Sequence, residues 1–282
     1  MIYECHGHII LDADSYQHSI TRHEPSVDEA FIRRNLQACQ DHGVTFYRDG
    51  GDKHMASVTA RKIAHEYGID YRTPAYIIHK NGYYGHMFGR GFENLAEYRQ
   101  LVREAGAGAL GADFIKLTAS GFIRYSDGGV TGPPTCEEFP EMIKIAHGEG
   151  FAVMVHANGA DNIKRALDAG ADSIEHGFYM DRAACLIMAQ TGAVWVPTIA
   201  TVANLIGTGH EHDSVLRRVY EDHKSALVEA NSLGVTIACG SDAGAQRVNQ
   251  GQGACDEQNI LSALGIDTTP GNLRISEVFR RL

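Results

Sequence analysis

His6-Gly7-His8 sets two imidazoles two residues apart inside an apolar run, 2–9, that reads as a strand. Alternate residues of a strand share a face, so both rings point the same way, about 6–7 Å apart along the chain and able to converge on one metal ion. Two satisfied core histidines would give the same spacing, so the pair needs company. Val155-His156-Ala157-Asn158, Ile174-Glu175-His176-Gly177 and Gly240-Ser241-Asp242 each put a ligand-type residue where an apolar run ends. Lys116 lies within another such run, 113–119, where burying an ammonium would be costly. A snorkelling or salt-bridged lysine is one reading. The other is an amine that has reacted with CO2, a carbamate whose two anionic oxygens could bridge two divalent ions.

Regular elements must hold these positions. Strand candidates fall at 2–9, 44–49, 75–79, 113–119, 152–156, 173–176, 193–199 and 236–240. Helical periodicity occupies 28–42, 54–67, 94–104, 136–149, 161–169, 182–190 and 214–233. Gly43, Gly68, Gly170, Gly192 and Gly234 follow helices as C-capping glycines do. Eight strand–helix units in 282 residues predict a single (β/α)8 TIM-type barrel, with the chemistry at the C-terminal ends of its strands. A doubly wound open sheet is the structural alternative, because strand order is not written in one sequence. No linker or low-complexity segment divides the chain, which predicts one domain over 1–282. Gly106-Ala107-Gly108-Ala109-Leu110-Gly111 has the glycine spacing of a dinucleotide loop, but it follows a helix and precedes a strand, the reverse of what pyrophosphate binding needs.

Composition narrows the class. The formal net charge is -10, with 25 Lys+Arg against 35 Asp+Glu, so a general nucleic-acid footprint is not expected. No apolar run approaches the ~18–20 residues of a membrane span, and the N-terminus lacks a basic, then apolar, leader. The six cysteines are scattered without a CxxC pair. Together these predict a cytoplasmic protein with reduced thiols and a small-molecule substrate, interacting with neither nucleic acid nor membrane. Whether it forms a homo-oligomer is left open.

The motifs Cys5-His6-Gly7-His8-Ile9, Phe114-Ile115-Lys116, His156-Ala157-Asn158-Gly159, Glu175-His176-Gly177 and Ser241-Asp242-Ala243-Gly244, in this order, resemble the amidohydrolase superfamily. Within it the chain is similar to the imidazolonepropionase/Xaa-Pro dipeptidase (prolidase-like) branch. The resemblance implies two divalent metal ions. His6, His8 and Asp242 would hold the more buried one and His156 and His176 the other, with carboxylated Lys116 and a hydroxide between them. Zinc fits these donors, as do manganese, iron or cobalt. The implied reaction is hydrolysis of a C–N bond of an amide, dipeptide or cyclic amide, with Asp242 as proton shuttle and Lys116 as the other catalytic position. A lactone or phosphate-ester hydrolase, or a non-catalytic metal- or ligand-binding barrel, would use the same residues.

Longer family members carry a small β-sandwich domain built from both termini, and this chain is expected to lack it. Many prolidase-like members have Tyr two residues after the fifth-strand histidine, where this chain has Asn158. His79, Arg124, Tyr125 and Asn158 are the candidate substrate contacts. Arg48 and Asp49 are candidates for supporting or ion-pairing roles. Tyr83-Tyr84 could wall the pocket. His210-Glu211-His212 reads as a surface loop. Strand alternation turns Cys5 away from the chemistry.

Overall fold

A computed structural model describes residues 1–281. Its elements run β1 (Ile2–Gly7), α1 (Tyr16–Arg22), α2 (Glu29–Asp41), β2 (Val44–Asp49), α3 (Ala56–Ile63), β3 (Asp70–Arg72), β4 (Ile77–Lys80), β5 (Gly89–Phe92) and α4 (Leu95–Gly106). They continue with β6 (Ile115–Thr118), α5 (Phe139–Gly148), β7 (Val153–Ala157), α6 (Ala160–Asp168), β8 (Ser173–His176), α7 (Arg182–Thr191) and β9 (Val194–Val196). Four helices follow: α8 (Ala200–Ala203), α9 (Asp213–Ser232), α10 (Gln252–Ala263) and α11 (Thr269–Val278). Every strand pairing is parallel, in one sheet of order β1-β2-β3 and another of order β5-β4-β6-β7-β8-β9. Parallel strands alternating with helices make this a TIM-type α/β domain. Among the described residues no helix is long and apolar enough to cross a membrane.

Local chemistry explains the elements. Asp28, Asn94 and Asp181 accept from backbone N–H groups in the first turns of α2, α4 and α7, offsetting donors that a helix start leaves free. The five glycines read as helix stops all have positive φ, from +70° at Gly68 to +99° at Gly170. Between strands and helices lies the main apolar core, which includes Ile115, Leu117, Val153, Val155, Ile174 and Trp195. A second cluster of Phe46, Phe114, Met154, Val194, Ile275 and Phe279 lies below the chemistry-bearing positions of the same strands and is sealed by the last helix.

Several expectations are corrected. The run at 75–79 becomes β4, and β3 precedes it. Pro74, which has no N–H to give, and Ala75 at φ +65° break what would be a continuous strand. The segment at 236–240 is no regular strand. It holds single bonds instead, from Trp195 N to Thr236 O and from Cys5 N to Cys239 O, both 2.9 Å, so 236–243 runs between β9 and β1. Cys5 packs with Phe46 and Phe114 rather than facing away. A register irregularity between Glu4 and Gly7 resets the alternation, so neighbouring residues Cys5 and His6 both turn inward.

Three buried carboxyls tie down strand ends. Glu4 accepts from Ser241 N (2.7 Å) and Ser241 Oγ. Asp49 accepts from Ile9 N (2.9 Å) and Tyr71 Oη (2.6 Å). Glu257 accepts from Ala200 N (2.8 Å). Burial, outweighing these bonds, pushes Glu4 and Glu257 up to about 8 and Asp49 up to about 7. Each folded pKa lies above the unfolded one, so this stabilisation is full below the ordinary carboxyl range and is lost as pH rises through the folded values. Buried histidines with lowered pKa act in the opposite sense, but only below about pH 6.5. The melting temperature of chelator-treated protein should therefore fall between about pH 6.5 and 8, and Glu4→Gln should flatten part of that fall. A flat profile in the parent, measured by thermal melts, would contradict the assignment.

Candidate metal centre

His6, His156 and His176 stand in the last residues of their strands, His8 just beyond β1, Lys116 within β6 and Asp242 in the irregular segment between β9 and β1, and these positions converge. One ligand atom each from His6, His8 and Asp242 lie within 4.8 Å of one another. Asp242 Oδ1 is 3.7 Å from Nε2 of both histidines. Lys116 Nζ is 3.3 Å from His6 Nε2. The His156 and His176 rings are 4.4 Å apart, and His6 and His176 4.9 Å. Gly7 lets this happen, since a Cβ there would stand 2.3 Å from Tyr47 Oη. His176, Thr198 and Asp242 adopt left-handed backbone, at φ +67°, +51° and +60°. For residues with a Cβ this costs on the order of 1–3 kcal/mol each, strain of the kind that gathers at functional sites.

The histidines are set up as neutral donors of a lone pair. His6 Nδ1–H donates to Glu175 Oε2 at 2.8 Å, leaving Nε2 free. Glu175 is itself held by Arg48 Nη2 at 2.9 Å and by Ser173, with no solvent exposure of either charge. His156 Nε2–H donates to Gly121 O at 2.9 Å, leaving Nδ1. His176 Nδ1 meets Thr198 Oγ1 at 2.8 Å, leaving Nε2. His8 Nδ1 is buried without a hydrogen-bond partner. Partners of this kind fix the tautomer and aim of metal-binding imidazoles.

Burial, reinforced by the nearby Lys116 charge, lowers His8 and His156 to about 3. Burial likewise drives His6 and His176 well below the ordinary range. Asp242 is pushed up to about 6 by burial, against the pull of Lys116. Lys116 is lowered to about 8, again by burial, although Glu175 and Asp242 oppose the shift. A lysine so placed gives up its proton more readily than an exposed one, and the free amine is the form that reacts with CO2. Neutral imidazoles, a carboxylate and an orphaned buried nitrogen form a donor set that fits divalent cations.

A cavity of about 290 Å³ opens above these residues, and Tyr84, Tyr125 and Asn158 line it. Asn158 spends its side chain on the loops, donating to Gly121 O (3.0 Å) and accepting from Phe178 N (3.1 Å). Two of the expected contacts, His79 and Arg124, are not among the residues that line the cavity. His79 is buried against Gly85, Gly89 and Gly91 and donates to Lys80 O at 3.0 Å, outside the cavity lining. Arg124 is turned to solvent by an ion pair with Asp127 at 2.6 Å. Arg48 and Asp49 are structural partners, of Glu175 and of the strand ends. The His210–His212 loop lies off the cavity lining, as does Tyr83. The sequence reading assigned no role to Glu175, although its place beside His176 on an inward-facing strand end was a signal. Nor did it find Tyr16, Phe88 and Phe178, cavity residues carried by a short helix and loops without periodicity.

A parallel α/β domain with ionisable residues gathered above its strands defines a TIM-type architecture in outline. The chain belongs to the amidohydrolase family, whose pattern matches residues 4–280. Among curated relatives, the ochratoxinase of Aspergillus niger is 27% identical over 287 residues, covering 86% of this chain and 57% of the relative. The chain thus spans little more than half the length of that protein. Among solved structures, a Xaa-Pro dipeptidase with bound methionine in its active site superposes with a TM-score of 0.74 at 24% identity, covering 98% of this chain and 72% of the other. The A. niger ochratoxinase structure gives 0.73 at 20% identity, with 98% and 69% covered.

Proposed function

We propose that this chain is a metal-dependent hydrolase that cleaves the C–N bond of a small amide, dipeptide or cyclic amide, on one closed (β/α)8 barrel domain spanning 1–282. The observation that carries the reading is the convergence of His6, His8 and Asp242 within 4.8 Å at strand ends, with Lys116 against His6, at the base of a cavity. Family membership and the dipeptidase among the similar structures favour C–N cleavage.

His6, His8 and Asp242 would hold one divalent cation and His156 and His176 a second, with Lys116 as a carbamate serving both; zinc suits the donors. Bound there, such cations supply Lewis acidity to a scissile carbonyl and to water. From its ammonium form Lys116 would reach the carbamate by losing two protons, one to free the amine and one as the N–C bond to CO2 forms, which replaces a buried cation with an anion. Asp242 takes a proton from the attacking water on a carboxylate oxygen and returns it to the departing nitrogen. The balance is amide plus water giving acid plus amine. Glu175 and Thr198 hold their histidines in register throughout.

A panel of N-acyl amino acids and their amides, dipeptides, lactones and phosphate monoesters, offered to zinc-loaded protein, tests this. The best amide should exceed the best lactone or phosphate ester in kcat/KM by about two orders of magnitude. The reverse order would overturn the C–N assignment.

A further inference from the structure

We propose that the cavity selects uncharged amides bearing an aromatic or bulky apolar group and discriminates against substrates with a free carboxylate near the scissile bond; this rests on the hydrolase reading of the same site. The Lys, Arg, Asp and Glu residues lining the cavity are Lys116 and Asp242, both at its base, beside His6, His8, His156 and His176. Lys116 is 2% exposed and turned to His6. Two cations in the neighbouring loops are engaged elsewhere. Arg124 pairs with Asp127, and Lys53 Nζ donates to His86 O at 2.8 Å, next to the rim residue Met87. A carboxylate held above the base of the cavity would lose its water and meet no cation on the surrounding wall.

The wall instead offers apolar area. Tyr16, Met87 and Phe122 belong both to the rim and to the few large hydrophobics left exposed among the described residues, at 43%, 40% and 52%. Inside, Phe88 stacks on His8 with ring centroids 5.6 Å apart, and Phe178 stacks on His223 at 4.1 Å, which fixes both faces before a ligand arrives. Tyr84 and Tyr125 contribute phenols, uncharged donors for a carbonyl or carboxamide oxygen. A cavity of about 290 Å³ suits a ligand the size of a small ring-bearing amide.

The test uses the matched pair N-acetylphenylalaninamide and N-acetylphenylalanine. Binding to chelator-treated protein is read by calorimetry and turnover by zinc-loaded protein. The carboxamide should bind about tenfold or more tightly than the carboxylate. Phe122→Ala, at a half-exposed position that the fold does not need, should weaken the aromatic ligand about fivefold and leave N-acetylalaninamide unchanged. Met87→Lys should shift the pair's ratio toward the carboxylate. Equal or tighter binding of the carboxylate, no binding of the carboxamide, or indifference to Phe122→Ala overturns the proposal. Loss of turnover on both compounds with the binding ratio intact would count against the hydrolase reading and leave the selectivity standing.

Discussion

Asp242→Asn should lower kcat/KM on the best amide by about 10²–10⁴-fold, the range expected when a positioned acid–base group is removed. Asn keeps the shape and one oxygen for coordination but cannot accept and return a proton. Asp242 is suited to the role by position, 3.7 Å from both His6 and His8, and by burial, which pushes it up to about 6 in the metal-free chain. Its left-handed φ of +60° is held by the neighbouring backbone, with Asp242 N donating to His6 O at 2.6 Å. The variant should therefore fold. Metal content measured on the same preparation separates a lost proton path from a lost ligand. Unchanged turnover with unchanged metal content would remove Asp242 from the chemistry.

Lys116→Met is expected to be as severe. Met is apolar and of similar length, so it removes the buried amine without opening a void. Parent protein prepared without chelator, with zinc and bicarbonate, should carry about two metal ions per chain, and the variant about one or fewer. Turnover should fall by about three orders of magnitude or more. Labelled bicarbonate gives a readout independent of turnover: a carbamate carbon resonance in the parent, absent from the variant. One metal per chain in the parent, with no carbamate signal, would point to an unmodified Lys116 and a mononuclear centre.

The sequence showed the positions better than the connections between them. Strands 44–49 and 173–176 have the bounds read from the chain, and the other inward-facing runs lie within a few residues of theirs, because burial on both faces leaves dense apolar blocks. His6, His8, Lys116, His156, His176 and Asp242 were legible as a group because each ends or occupies such a block. The helices α10 and α11 were not legible. Their buried faces set only Ala254, Leu261 and Ile275 among Gly253, Glu257, Gly271 and Asn272, so burial leaves a weak apolar period to read. The strand β5, Gly89-Arg90-Gly91-Phe92, has a composition that strands avoid, and it pairs with β4 because its glycines make room for His79. His79 and Arg124 lie off the cavity lining for different reasons: His79, within β4, faces Gly85, Gly89 and Gly91, while a residue type near a strand end says nothing of where a loop turns it. Asp127, three residues on, decided for Arg124.

The floor of Phe46, Phe114, Met154 and Phe279, each under 4% exposed, lies beneath the buried Arg48–Glu175 pair, and Arg48 sits 4.3 Å above the Phe279 ring. It makes the mouth the route for everything that enters or leaves. The two halves of a cleaved molecule must then depart in sequence, past the same rim of Tyr16, Met87 and Phe122. The half that fills the rim leaves first and the half nearest the histidines waits behind it, so the trailing product should be the stronger inhibitor of the next turnover.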